Sequence, residues 1–294
     1  MMQSVTVRVP ATSANLGPGF DSLGMALALT QEITLSLAPQ ADTSDGLLRI
    51  MLDAARAAYR LARIDQPPEL SASAPGRRIP IGRGLGASAA ARAAGIVAAD
   101  AMMGAKLTPD QMLTLGANLE GHGDNMAPAL FGGLRIVVRD GDVFRQIAAP
   151  IAPGLQVVLF VPNFDMPTNE SRKLLPETLS KADAVHNIGR AAMLVAALAR
   201  GDWDLLDVAT QDRLHQPART QIFKAMPDIF GAAKDAGARC AYLSGGGSTI
   251  AAWATERADE IAEAMVRAAA ADGFSGRTII TAPSDEGAVV VGTE

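Results

Sequence analysis

Pro80-Ile81-Gly82-Arg83-Gly84-Leu85-Gly86-Ala87-Ser88-Ala89-Ala90 is the stretch on which the reading of this chain turns. A glycine-rich loop runs straight into Gly86 to Met103, an alanine-rich segment of high helix propensity with almost no large side chains on any face. Consecutive N–H groups of such a loop converge on one concavity, and the helix N-terminus adds partial positive charge, so the pair suits a phosphate chain. It is not a Walker A loop, because no Gly-Lys-Ser/Thr follows the glycines; nor is it G-x-G-x-x-G, because Gly86 falls one position early. Ser88 puts a hydroxyl in the first helical turn, where phosphate sites often hold Mg²⁺. Taken alone, such a glycine cluster reads first as a flexible turn before a helix.

Upstream of the loop, Val5, Val7 and Val9 alternate with polar residues as a half-buried strand ending at Pro10, and Ile33, Leu35 and Leu37 repeat the pattern. Between them lies the small, polar stretch Ala11 to Asp21, too polar for a core strand and too long for a tight turn; loops of this kind often carry function. Leu47 to Ile64 has helical spacing and stops before Pro67-Pro68, and Arg78 to Ile81 is strand-like. Downstream, Thr108-Pro109-Asp110-Gln111 begins a helix that carries Glu120 at its C-terminal end. Leu134 to Val138 and Asp142 to Ile147 form a hairpin around Arg139-Asp140-Gly141. The second half opens with a strand, Leu155 to Val161. Helices follow near 168–175, 180–199, 203–214 and 227–236, then strands at 238–243 and 249–253 around Gly245-Gly246-Gly247. A helix at 257–271 and strands near 277–280 and 288–291 end the chain. Blocks of strands and helices of this kind predict an α+β fold. The length of 294 residues suggests about two domains, 1–152 and 153–294, divided near Pro150-Ile151-Ala152-Pro153.

Composition excludes several classes of function. Hydrophobic residues make up 49% and charged residues 19%, enough apolar material for sizeable cores, and the net charge of −5 offers no general attraction to nucleic acid or anionic lipid. The longest apolar runs, such as Ala191 to Ala199, fall far short of the roughly 20 residues that span a bilayer. The first residues lack the pattern of a signal peptide, and with Cys240 as the only cysteine no intramolecular disulfide forms; both place the chain in the cytoplasm. The 28 glycines are disproportionate beside 4% aromatic residues, and their clustering matters more than their number.

Two further clusters carry polar chemistry. Glu120-Gly121-His122-Gly123-Asp124-Asn125 can supply a Mg²⁺ ligand and substrate hydrogen bonds, and equally reads as a solvated loop after a helix. Zinc is disfavoured, because no cysteine or second histidine stands at ligand spacing. Ser244-Gly245-Gly246-Gly247-Ser248-Thr249, taken alone, is a hairpin turn.

In order along the chain, the motifs are P-A-T-S-A-N-L-G-P-G-F-D-S-L-G at 10–24, P-x-x-x-G-L-G-x-S-A-A at 80–90 and E-G-H-x-D-N-x-A-P-A at 120–129. D-R-L-H-Q-P-x-R at 212–219 and S-G-x-G-x-T at 244–249 complete the set. The chain resembles the GHMP kinase superfamily over essentially its whole length, and within it the homoserine kinase branch. The resemblance implies a two-domain GHMP kinase fold, with an N-terminal domain like ribosomal protein S5 domain 2, a ferredoxin-like C-terminal domain, and the active site between them. It implies transfer of the ATP γ-phosphoryl group to the side-chain hydroxyl of L-homoserine, giving O-phospho-L-homoserine for threonine synthesis, and a homodimer.

Residue by residue, it implies that Pro80, Gly82, Arg83, Gly84, Leu85, Gly86, Ala87, Ser88 and Ala89 cradle the ATP phosphates, with Ser88 and Glu120 as Mg²⁺ ligands. Asn15, Asp21, Thr168, Arg172, Arg219 and Gly245 fall where the amino-acid substrate binds. Arg172 and Arg219 suit a carboxylate through charge-assisted bonds, and Asp21 suits an ammonium. His122, Asp124 and Asn125 fall at the reacting end. His122 and Asn125 are assigned to orientation and charge stabilisation, since phosphoryl transfer does not require a strong base.

The chain departs from the family pattern at Ala87, Gly123 and Ser248, where Ser, Pro and Pro are usual, and in having no Asn between Ala38 and Tyr59. A kinase for another small hydroxy-compound is disfavoured by the retained Asn15, Asp21, Arg172 and Arg219. A catalytically silent nucleotide-binding homologue is disfavoured by Ser88, Glu120 and Asn125.

Overall fold

Val5, Val7 and Val9 are fully buried on one face of β1 (Ser4–Ala14). The computed structural model of the chain describes residues 2–39, 44–64, 66–166 and 168–294, the side chains of 168–170 excepted. β1 does not end at Pro10 as its composition suggests. Its pairing with β2 (Leu23–Leu37) shifts register between Pro10, opposite Thr30, and Ala11, opposite Leu27, which accommodates a residue without an N–H. Beyond the shift the polar residues Thr12 and Ser13 are completely buried, because their hydroxyls find buried partners elsewhere in the chain.

α1 (Gly46–Leu61) follows, capped by the Asp45 carboxylate, which accepts from the N–H groups of Leu47 and Leu48. β3 (Leu70–Ser73) pairs with the end of β2. The strand expected at Arg78 to Ile81 is absent. Pro80 has no N–H, Gly76 and Gly82 are left-handed, and the Ile79 N–H donates to the Gln31 side chain.

α2 (Ala87–Met103) has the expected small faces, and α1 approaches it closely: a Cβ on Gly95 would stand 2.3 Å from the Met51 carbonyl oxygen. α3 (Pro109–Glu120) begins with the complete capping box read from Thr108 and Gln111. The apolar segment after Asn125 folds as a short helix, α4 (Met126–Phe131). The hairpin of β4 (Leu134–Asp140) and β5 (Val143–Ala149) lies where expected.

The second half runs from β6 (Gln156–Pro162) through α5 (Thr168–Lys173) and α6 (Lys181–Arg200). The single helix expected at 203–214 is instead a short 3₁₀ turn and α7 (Leu206–Ala209); the chain then restarts as α8 (Gln216–Arg219). The break is chemical. The Asp212 carboxylate accepts from the N–H groups of Leu214, His215 and Gln216 and so starts a new helix. α9 (Met226–Asp235), β7 (Cys240–Leu243), β8 (Ile250–Ala254), α10 (Ala258–Ala271), β9 (Gly276–Thr281) and β10 (Val289–Thr293) complete the chain.

Among the described residues these strands form two antiparallel sheets. The second, in the order β7-β8-β6-β9, has the strand order and helix placement of a ferredoxin-like plait. The first runs β10-β1-β2-β4-β5, with β3 added beside β2. β10 therefore returns to the first sheet, so a cut between 152 and 153 leaves one of its edge strands on the second half of the chain. Together these features make a two-sheet α+β fold of the kind that the sequence resemblance implies.

Candidate active site

The loop 80–86 reaches α2 through two glycines that admit no side chain. Gly84 and Gly86 have φ of +72° and +68°; a Cβ on the first would lie 2.1 Å from the Ser244 carbonyl oxygen, and on the second 1.9 Å from Thr12 Oγ1. Backbone thus packs against backbone from both halves of the chain. The Gly245 N–H donates to the Ala14 carbonyl, the Ser244 hydroxyl donates to the Gly84 carbonyl, and the Thr249 N–H donates to the Arg83 carbonyl. Among the described residues no side chain caps the first turn of α2. Its N–H groups therefore remain available to an anion.

Ser88 and Glu120 meet at the floor of this cradle, the Ser88 hydroxyl donating to Glu120 Oε1 at 2.5 Å. The other Glu120 oxygen is ion-paired with Arg92, one turn beyond Ser88 on α2. Two hard oxygen ligands of this kind fit Mg²⁺.

In the loop between β1 and β2, Asn15 and Asp21 both have positive φ, 67° and 55°. Such strain persists where surrounding contacts over-determine it. Here the Asn15 side chain does so, donating to the Gly245 carbonyl at 2.9 Å and accepting from the Asp21 N–H at 3.0 Å. Arg172 grips Asp21 with both terminal nitrogens, at 2.9 and 2.5 Å, and this bond is the chief cause of its raised pKa. Arg219 is buried and donates to the Gly245 carbonyl. Burial, and then the charge of Arg172, pulls its pKa down to about 10, so it is still a cation at neutral pH. Phe20 lies beneath both guanidiniums, 5.1 Å from Arg172 and 5.7 Å from Arg219.

Between α3 and α4 the Asp124 carboxylate accepts from the Asn125 N–H at 2.9 Å and lies 2.6 Å from His122 Nδ1. Burial lowers the His122 pKa, but the bond to Asp124 and the charges of Asp124, Glu120 and Asp21 outweigh it and leave the imidazole raised. Asn125 Oδ1 accepts from Thr12 at 2.7 Å, which fixes the orientation of its amide. Asp21, His122 and Asp124 also bring ligand atoms within 4.8 Å of one another.

Asn15, Asp21, Glu120, His122, Asp124, Asn125, Arg172, Arg219 and Gly245, with the loop 80–88, line one cavity of about 270 Å³; Thr12, Phe20 and Arg92 are not among its lining residues. Of the residues singled out from sequence, Ala89 does not line it; its side chain is fully buried. The Thr168 side chain lies outside the described residues. The Arg83 guanidinium is turned to the end of β6, donating to the carbonyls of Pro162 and Asn163 and pairing with Asp165. Sequence reasoning missed Thr12, Phe20 and Arg92. Only Arg92 carried a local signal, its one-turn spacing from Ser88 on the same face of α2.

Residues 51–133 match the family model of the GHMP kinases N terminal domain, and residues 194–272 that of the GHMP kinases C terminal domain. A homoserine kinase of Moorella thermoacetica is 41% identical over 97% of this chain and 99% of its own length. The chain belongs to the homoserine kinase family of GHMP kinases. One from Deinococcus radiodurans is 40% identical over 86% of this chain and 85% of its own. The crystal structure of homoserine kinase from Cytophaga hutchinsonii superposes with a TM-score of 0.87 at 27% identity, covering 99% of this chain and 98% of that one. A member of this family is an ATP-dependent kinase acting on a small molecule. Gly123 has a local reason: a Cβ there would stand 2.6 Å from Val137 and 3.0 Å from Phe144. Among the described residues no helix is long and apolar enough to cross a membrane.

Proposed function

We propose that this chain transfers the γ-phosphoryl group of ATP to the side-chain hydroxyl of L-homoserine, giving O-phospho-L-homoserine in threonine biosynthesis. One observation carries the reading. A glycine-rich cradle at the N-terminus of α2 shares a cavity with an anion, Asp21, and two guanidiniums, Arg172 and Arg219, an arrangement that suits a zwitterion.

In this reading the ATP phosphates rest on backbone N–H groups of residues 82–89, and Leu47 and Ile50 of α1 offer apolar surface at the cavity wall where the family's Asn is missing. Ser88 and Glu120 would hold Mg²⁺, which supplies charge neutralisation on the phosphates. Arg92 shares the charge of Glu120 and limits its ability to drift from Ser88. Arg83 ties the loop to β6, which fixes the cradle against the second half of the chain. The Asp21–Arg172 pair opens to admit the zwitterion, Asp21 meeting the substrate ammonium and Arg172 joining Arg219 on its carboxylate, with Asn15, Gly245 and Thr168 beside them. His122 and Asn125, held by Asp124 and Thr12, orient the hydroxyl and stabilise charge; no residue is assigned as a strong base. The domains 1–152 and 153–294, the homodimer and the cytoplasmic location belong to the same reading.

Phosphorus NMR of the protein with Mg·ATP and L-homoserine tests it. A phosphomonoester that forms only when homoserine is present is expected; release of inorganic phosphate alone contradicts the reading.

A further inference from the structure

Among the described residues His215, in the 212–219 motif, is hydrogen-bonded neither to the loop 80–88 nor to Glu120, yet its ring is completely buried. Its Nε2 lies 2.8 Å from the Gly17 carbonyl oxygen, and its Nδ1 lies 2.7 Å from Arg219 Nη1. A carbonyl oxygen only accepts and a guanidinium nitrogen only donates, so Nε2 carries the proton and Nδ1 presents a lone pair. A doubly protonated ring would set an N–H against the guanidinium. Burial, opposed by Asp212 and reinforced by Arg219, agrees with this and pushes the imidazole down to about 4. The backbone beneath is also fixed, because Asp212 binds three successive N–H groups and accepts from Asn187 Nδ2 at 2.7 Å. His215 and Arg219 stand four residues apart, on one face of that turn.

Arg219 Nη1 is thereby shared between His215 and the Gly245 carbonyl, while Nε is buried without a partner among the described residues. An orphaned buried donor costs free energy that a ligand acceptor would recover. We propose that His215 is a positioning residue for acceptor recognition: as a neutral imidazole it holds Arg219 by Nη1 and ties it to the Gly17 loop, keeping the rest of the guanidinium for the acceptor's carboxylate. This rests on the reading of Arg219 given under Proposed function.

Two substitutions separate the ring's two bonds. His215→Gln keeps a donor near the Gly17 carbonyl and loses the acceptor for Arg219; His215→Asn keeps an acceptor near the position of Nδ1 and loses the donor. With both melting temperatures measured, His215→Gln is expected to raise the homoserine KM about 10-fold, the scale of a lost charged hydrogen bond, with kcat and the ATP KM near wild type. His215→Asn is expected to recover most of that loss. Equal homoserine KM values in the two variants, or a loss confined to kcat or the ATP KM, would overturn the proposal. ¹⁵N-histidine NMR of the wild-type protein needs neither substrate nor a folded variant. A neutral Nε2–H tautomer for His215 between pH 6 and 8 is expected, and a charged ring or the Nδ1–H tautomer overturns it. If the wild-type protein prefers a different acceptor, the functional reading fails while the nitrogen spectrum still decides the state of His215.

Discussion

Glu120 shows how one side chain can be bound from two sides: Ser88 takes one oxygen and Arg92 the other. If Glu120 helps hold Mg²⁺, Glu120→Gln should reduce kcat/KM by at least about 100-fold, the usual scale for losing a charge-stabilising group. ADP release measured across a Mg²⁺ titration checks this, and unchanged Mg²⁺ dependence would remove Glu120 from the metal site. His215 makes a separate prediction about stability. Its pKa is about 4 in the folded chain against an ordinary 6.5, so above 6.5 neither state binds the proton. Between 6.5 and 4 only the unfolded chain does, and the His215 contribution to stability is lost as pH falls through that window. Asp212 and Arg219 face the ring with opposite charge, and Asp21 is also felt there. The expected result is that His215→Asn flattens the acid-side fall of the denaturation midpoint by about one proton; parallel pH profiles for wild type and variant would contradict it.

The glycine-rich loop 80–86 is the element most legible in the sequence, because its proposed role depends on what is missing. Glycines and alanines are visible one residue at a time, and Gly84 and Gly86 are required where backbone or a Thr hydroxyl crowds the Cβ position. Gly84→Ala should cost about 1–3 kcal/mol in urea denaturation and weaken ATP binding at least about 10-fold; a variant that matches wild type in both would show that the close approach to Ser244 is not needed. The second half of β1 was not legible. Thr12 and Ser13 read as loop because they are polar, and they are core because Asn125, Tyr242 and Ser244, 113 to 231 residues away, accept or share their hydroxyls. A local pattern cannot hold that information. The same is true of Asp212, whose capping of α8 breaks a segment that carries helical periodicity on both sides.

At the scale of the molecule, the seam near residue 152 separates two sheets, but β10 crosses back to close the edge of β1. No periodicity in Val289 to Thr293 distinguishes a strand of the second sheet from one that returns to the first. Removing residues 287–294 uncovers that edge and should lower the melting temperature by more than about 5 °C and promote association; an unchanged melt would make β10 dispensable. The two halves also meet at the site, where Gly84 packs on Ser244, Asn15 on Gly245 and Asp21 on Arg172. Neither half holds the whole constellation. The central claim is that this shared cavity receives a phosphate chain on one side and a hydroxylated zwitterion on the other. Its most direct test is ADP release from Mg·ATP with L-homoserine, L-serine, L-threonine, mevalonate or galactose as acceptor. Strong acceleration by L-homoserine, above all the others, is the result this account predicts; faster release with mevalonate or galactose, or no response to L-homoserine, would contradict it.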